Sequence, residues 1–411
     1  MSTAERTGLD PDRLARIDEH LERRYIQPRK IAGALTLVAR RGELAYLSPV
    51  GLMDLERQKP MRDDTIFRIY SMTKPITSVA MMMLWEEGHW QLTDPVHRFI
   101  PQWRELRVYQ AGTHPNHLTT PVERPMSVRD LMTHQSGLTY GFMNRTNVDA
   151  AYRQKGIGGA VIGGDDAPRP GSLAEFVELL ADIPLEFSPG TAWNYSVSTD
   201  VLGHLVEVIS GQRFDQFLRE RIFEPLGMVD TGFSVPPDKV ERFAANYQRG
   251  ADKRLMLIDD PVNSSYLQEP AYPSGGGGLV STARDYWRFC QMLLNGGELD
   301  GHRVLGRKTI DLMTVNHLPD GKDLTQLSVA AYSETASEGV GFGLGFAVTL
   351  DPTLTGGGSK GEYYWGGAAS TIFWIDPVED LTVIFLTQFM PSGTFNFRGQ
   401  LKQLIYSAFI D

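Results

Sequence analysis

Ile69-Tyr70-Ser71-Met72-Thr73-Lys74-Pro75 leads into an apolar run from Ile76 to Trp85. A helix that is apolar on nearly every face is a buried helix, so this segment predicts an element running through the middle of the protein. Proline lacks an N–H and is tolerated only in a first turn. Pro75 therefore places the helix start near Met72, and Gly88 is a suitable stop. Ser71 then lies at the N-terminal end, where free N–H groups and the helix dipole favour negative charge. Lys74, three residues on, is its neighbour along the first turn. A serine hydroxyl becomes a nucleophile when a base takes its proton. Lysine is such a base only where burial or a cationic neighbour supplies its neutral form. With 23 serines and 10 lysines in 411 residues, chance supplies about 0.6 Ser-x-x-Lys pairs. The pair gains its weight from its setting: strand-like Thr65-Ile66-Phe67-Arg68-Ile69 before it and a buried helix after it.

Working outward, a chain of this length can bury a large core and divide into two lobes. Hydrophobic residues at 42% and charged residues at 22% are those of an ordinary globular protein. The net charge of −10 and the lack of a basic stretch argue against nucleic acid as a partner. No apolar run reaches membrane-spanning length. The polar Met1–Thr7 segment lacks the apolar core of a signal peptide, and Cys290 is the only cysteine, so no internal disulfide forms. The expected location is the cytoplasm.

Before the central segment, Leu9 to Gln27 reads as an amphipathic helix, and Ile31–Ala39, Arg41-Gly42 and Glu43–Leu47 read as a hairpin. After it, prolines 95, 101, 115, 121 and 125 keep elements short. Short helices follow at 127–132, 172–181, 201–209, 214–223 and 282–295, with 232–272 irregular. From Phe342 the period changes: Leu344–Leu350, Glu362–Trp365, Ser370–Ile375 and Thr382–Gln388 read as an antiparallel meander, closed by a helix over Phe397–Ile410. The predicted fold is mixed α/β (α+β). An antiparallel sheet is built from both chain ends (1–90 and 335–411), flanked by N- and C-terminal helices. A mainly helical lobe (91–334) is inserted, and the active site lies between the lobes.

Other motifs lose on inspection. Gly357-Gly358-Ser359-Lys360-Gly361 has the spacing of a nucleophile elbow, but all nine histidines precede it, whereas the partners of such a serine follow it. The Gly- and Pro-rich stretch 156–171 ends in no Gly-Lys-Ser/Thr and reads as a surface loop. His114 and His117 sit in a Pro-flanked loop without a paired acidic helix, so no metal is expected there. For the Ser–Lys pair, Tyr195 in Trp193-Asn194-Tyr195-Ser196 is the leading third group, following the turn Ser188-Pro189-Gly190. The N–H of Ser71 is one oxyanion donor, and Trp365-Gly366-Gly367-Ala368 offers a strand N–H brought close by glycines.

Taken together, these residues resemble the serine β-lactamase-like superfamily, and within it the family VIII carboxylesterases, which are similar to class C β-lactamases and DD-peptidases. Ser71-Met72-Thr73-Lys74 matches Ser-x-x-Lys. Tyr195-Ser196-Val197 matches Tyr-x-Asn in its first position. Trp365-Gly366-Gly367 stands where β-lactamases carry Lys-Thr-Gly. Leu131–Leu138, Pro189-Gly190 and Gly276–Thr282 also look like family signatures. The resemblance implies Ser71 as acylated nucleophile, Lys74 and Tyr195 as proton-transfer groups, and the N–H groups of Ser71 and Ala368 as oxyanion hole. It also implies that Trp365, Gly366 and Gly367 line the acyl pocket, with Gln135 and Tyr140 on its other rim. Trp365 in place of lysine removes a charge for a β-lactam carboxylate, and Val197 in place of asparagine removes an amide contact. Both favour an uncharged small-molecule ester, cleaved without metal or cofactor, with weak β-lactamase activity as a side reaction. The rival expectations are acyl transfer on the same scaffold, then a β-lactamase, a peptidase or a non-catalytic binding homologue.

Overall fold

The computed structural model describes residues 2–158, 170–330 and 338–411; of the Gly- and Pro-rich stretch 156–171, residues 159–169 lie outside these. Among the described residues, eight strands form one antiparallel sheet. Their order is Val340–Phe342, Ala347–Thr349, Tyr363–Gly366, Ile372–Asp376, Leu381–Thr387, Gly33–Arg40, Glu43–Asp54 and Lys59–Pro60. The two chain ends meet inside it: Gly33–Arg40 pairs with Leu381–Thr387 from Ala34 opposite Thr387 to Arg40 opposite Leu381. Both strands are buried throughout, because both faces of the sheet are covered, and this is why they read as continuous apolar runs.

Two adjacent residues show what covers each face, since successive side chains point to opposite sides. Phe385 meets Phe397 of the C-terminal helix, Phe397–Tyr406, at 4.9 Å between ring centroids. Its neighbour Ile384 pairs with Phe373, which meets Tyr286 of the Ala283–Leu294 helix at 5.0 Å. On the Phe385 side the N-terminal helix, Pro11–Leu21, is capped by Asp10 and packs against the C-terminal helix, and Tyr25 donates to Gln400 Oε1 at 2.6 Å. On the other side Tyr286 donates its hydroxyl to the Met72 carbonyl at 2.9 Å, tying the sheet-covering helix to the central one.

The central helix is Thr73–Glu86, and 12 of its 14 residues are buried, as a segment without a polar face demands. Pro75 is its third residue, and the chain leaves it through Gly88 at φ +80°, with the His89 N–H returning to the Leu84 carbonyl. It packs against the Ser198–Ser210 helix. No described helix is long and apolar enough to cross a membrane.

Four local expectations are corrected. Thr65–Ile69 is not a sheet strand: only Phe67–Arg68 is extended, and it pairs with Val280–Ser281 apart from the main sheet. Leu344–Leu350 is broken: Val340–Phe342 turns back through Gly343–Phe346 onto Ala347–Thr349. The irregular stretch 232–272 contains the hairpin Asn246–Arg249 with Leu255–Asp259, to which Phe389–Met390 adds a parallel strand. Leu255 to Asp259 alternates in exposure rather than in polarity, so its period was masked. Arg107–Thr113 and Asn116–Pro121 form another hairpin. Its prolines fall in the turn and at the strand end, where a missing N–H costs no ladder bond. His114 and His117 lie at that turn, half-buried, with ring centroids 5.8 Å apart.

Candidate active site

The site is built on a backbone corner. Arg68 is fully buried before it: its guanidinium donates to Asp259 Oδ2 at 2.7 Å and to the Ala244 carbonyl at 2.6 Å, and lies 3.9 Å over the Phe243 ring. Ile69 N–H donates to the Leu279 carbonyl. Tyr70 then takes φ +42°, a left-handed conformation that is a genuine outlier for a bulky side chain and costs about 1–3 kcal/mol. The Tyr70 hydroxyl accepts from Asn246 Nδ2 at 3.0 Å, which helps to hold the corner. The chain reverses into a 3-10 turn, Tyr70–Met72, and continues as the central helix. Ser71 sits at the apex, half-buried.

Three groups converge there. Tyr195 donates its hydroxyl to Ser71 Oγ at 2.6 Å. Lys74 Nζ lies 3.2 Å from Ser71 Oγ, 2.8 Å from the Tyr140 hydroxyl and 2.6 Å from the Gly276 carbonyl. The amine also lies 4.6 Å from the centroid of the Tyr195 ring. Gly276 allows this approach because a Cβ at that position would fall 2.4 Å from Asp200 Oδ2 and 2.9 Å from the Tyr140 hydroxyl.

Burial governs the charge on Lys74. Taking the amine out of water penalises its ammonium form, and its pKa falls from 10.5 to about 7, with the Asp200 carboxylate opposing the fall. Asp200 opens the Ser198–Ser210 helix and accepts from Ser274 Oγ at 2.5 Å and from the Gly276 N–H at 3.1 Å. His134, whose ring centroid is 5.1 Å from that of Tyr195, is held neutral by its own burial and then by the charge of Lys74.

The strand Tyr363–Gly366 brings the second wall. Trp365 is buried, with its ring 5.5 Å from Tyr195 and 5.4 Å from Phe342. Gly366 pairs with Ile372. At Gly367 a Cβ would stand 2.4 Å from the Ile69 carbonyl, so glycine lets this turn press on the Ile69–Ser71 corner. Among the described residues, neither the Ser71 N–H nor the Ala368 N–H has a protein acceptor.

Of the residues singled out from sequence, the structure brings Ser71, Lys74, Tyr195, Trp365 and Tyr140 together. Tyr140 does more than line a rim: it is a partner of Lys74. Gln135 has another setting. It is buried, its side-chain amide donates to Thr133 Oγ1 at 2.8 Å, and its carbonyl accepts from the Gly190 N–H. Through its backbone carbonyl it ties down the turn at Pro189-Gly190, and among the described residues it makes no hydrogen bond to Ser71, Lys74 or Tyr195. Sequence reasoning missed Asp200 and the Gly276 carbonyl. The run Ser274–Gly278 was a visible signal of close backbone approach, but nothing local indicated what approached.

A Beta-lactamase family model matches residues 19–406 of the chain. An uncharacterized protein of Mycobacterium tuberculosis is 36% identical over 365 residues, 88% of this chain and 86% of that protein. Esterase EstB of Burkholderia gladioli is 33% identical over 390 residues, 91% of this chain and 90% of that protein. The solved structure of EstCE1, a hydrolase with promiscuous acyltransferase activity, superposes with a TM-score of 0.78 at 27% identity, covering 97% of this chain and 99% of that one. The sheet shared by both chain ends, the Ser-x-x-Lys corner and this match over nearly the whole length agree: the chain belongs to the Beta-lactamase family.

Proposed function

We propose that this protein is a serine carboxylesterase that cleaves short- to medium-chain esters through an acyl-enzyme on Ser71. The observation that carries the reading is the pair of contacts on one oxygen: Lys74 Nζ at 3.2 Å and the Tyr195 hydroxyl at 2.6 Å from Ser71 Oγ. With the Lys74 pKa lowered to about 7, a usable fraction of the amine is neutral near neutral pH, the condition for lysine to act as a base.

Ser71 Oγ attacks the ester carbonyl carbon while its proton passes to Lys74. The new oxyanion faces the N–H groups of Ser71 and Ala368, donors that would otherwise stay unpaired. Collapse breaks the bond to the alcohol oxygen, which takes a proton relayed from Lys74 through Tyr195. Water then attacks the Ser71 ester, its proton returning to the Lys74–Tyr195 pair, and the acid leaves as Ser71 recovers its hydrogen. Trp365, Tyr195 and Phe342 form an aromatic wall, suited to an uncharged acyl group. The similarity to an esterase supports the same substrate class.

Acyl transfer is the second reading, favoured by the similarity to a hydrolase with promiscuous acyltransferase activity. In it an alcohol replaces water in the second half-reaction. A panel of p-nitrophenyl esters beside a chromogenic cephalosporin, with and without added alcohol, tests both. The esterase reading expects turnover of short and medium acyl chains with little cephalosporin cleavage. Cephalosporin turnover exceeding that of every ester would overturn it. Exclusive ester product in added alcohol would assign the transferase. The proposed partner is a small-molecule ester, and the proposed location is the cytoplasm.

A further inference from the structure

We propose that Tyr140 is a positioning residue for Lys74: its phenol oxygen and the Gly276 carbonyl engage the two N–H bonds of the neutral amine, leaving the lone pair aimed at Ser71. The inference rests on the esterase reading above and assigns Tyr140 a task other than lining the substrate pocket.

The argument is one of donors and acceptors. A neutral lysine has two N–H bonds and one lone pair, and an ammonium has three N–H bonds. Three oxygens surround Nζ: Gly276 O at 2.6 Å, the Tyr140 hydroxyl at 2.8 Å and Ser71 Oγ at 3.2 Å. The Gly276 carbonyl can only accept, so it takes one N–H in either state. In the neutral state the remaining N–H goes to Tyr140 or to Ser71. If it goes to Ser71, the serine oxygen accepts from both Lys74 and Tyr195, and its own hydrogen is turned away from the amine, an unreactive alignment. If it goes to Tyr140, the lone pair receives the Ser71 hydroxyl, which is the reactive alignment. After transfer, each of the three ammonium N–H bonds has an oxygen waiting, and a buried charge is tolerated only when so satisfied.

The setting suits this role. Tyr140 is buried, with its phenol oxygen 2.8 Å from Lys74 Nζ. Its ring stacks on Phe142 at 4.6 Å and 20°, fixing the phenol from behind. Gly276 is held in turn by Asp200 through its N–H. Among the described residues, the other titratable groups facing Lys74 include Asp200, Tyr195 and His134. Among these, Tyr195 is bonded to Ser71 rather than to Nζ.

Tyr140→Phe removes the oxygen and keeps the ring and its stacking. The test measures Ser71 labelling by a fluorophosphonate, kcat and KM for p-nitrophenyl acetate from pH 5 to 9, and the melting temperature. The expected result is an unchanged melting temperature and KM, kcat and labelling slowed about 10- to 100-fold, and an acidic limb moved to lower pH. The limb moves because the ammonium has lost an acceptor and is easier to deprotonate. Labelling at the wild-type rate, or a raised KM with unchanged kcat, overturns the proposal and leaves Tyr140 as pocket wall. Failure of the wild-type Ser71 to label would instead sink the esterase reading itself. Should the phenylalanine variant not fold, 3-fluorotyrosine at position 140, a weaker acceptor of nearly equal size, carries the test. Slower labelling at constant KM then supports the proposal, and an unchanged rate overturns it.

Discussion

Acylation of Ser71 should follow the charge on one buried amine. Burial brings Lys74 from 10.5 down to about 7, so about half of it is neutral at pH 7 and about 1% at pH 5. Pre-steady-state acylation by p-nitrophenyl acetate should therefore fall tenfold per pH unit below 7 and level off above 8. Asp200→Asn sharpens the test. Its amide oxygen can still accept from Ser274 and Gly276, but the carboxylate charge that raises the Lys74 pKa is gone, so the midpoint moves to lower pH. Stability is linked to the same titration. The folded pKa lies below the unfolded one, so the unfolded chain binds more protons between pH 7 and 10.5, and stability rises across that window. The full difference corresponds to about 5 kcal/mol, and below pH 7 the fold carries all of it as the cost of a buried ammonium. Stopped-flow acylation supplies the profile and urea unfolding the stability. A midpoint above pH 9.5, a rate flat from pH 5 to 9, or an upward shift in Asp200→Asn would refute the reasoning.

Ser71→Ala should abolish ester turnover and change stability by no more than about 1 kcal/mol, because it deletes one half-buried hydroxyl; activity and urea unfolding check this. Tyr195→Phe should lower kcat by on the order of 10² or more with little change in KM, read from steady-state kinetics. Gly276→Ala should slow acylation strongly while the chain still folds, since the new Cβ displaces Asp200 and Tyr140, whose nearest atoms would lie 2.4 and 2.9 Å away; labelling rate and melting temperature separate the two effects. Lys402→Met should destabilise by about 3–5 kcal/mol, because it leaves the fully buried Glu362 carboxylate, 2.5 Å from Lys402 Nζ, without its ion-pair partner. That loss should shrink at acid pH, where Glu362, its pKa raised by burial, takes up a proton.

Much of this arrangement is legible in the amino-acid order. The run Ile76 to Trp85 has no polar face, and that alone predicts a buried helix with Ser71 and Lys74 at its start. The alternation after Phe342 and the hairpin near Arg41-Gly42 predict strands at both ends. Their mutual pairing is a matter of long-range register, and only the structure shows Ala34 opposite Thr387. Tyr70 at φ +42° could not be read, because tyrosine carries no signal for a left-handed corner; the strain is imposed by what surrounds it. Tyr140 and Gly276 were visible as motif neighbours, yet their meeting at Lys74 depends on segments 66 and 202 residues distant in sequence. Gln135 shows the limit of reading a loop locally: its amide is bonded to Thr133 and its backbone carbonyl to Gly190, a structural task the sequence did not reveal.

The most direct measurement is the mass of the covalent intermediate. Incubation with a fluorophosphonate, followed by intact mass and peptide mapping, should add one phosphonyl group on Ser71, with none on Ser71→Ala. Modification of another residue, such as Ser359, or ester turnover surviving in Ser71→Ala, would contradict the account.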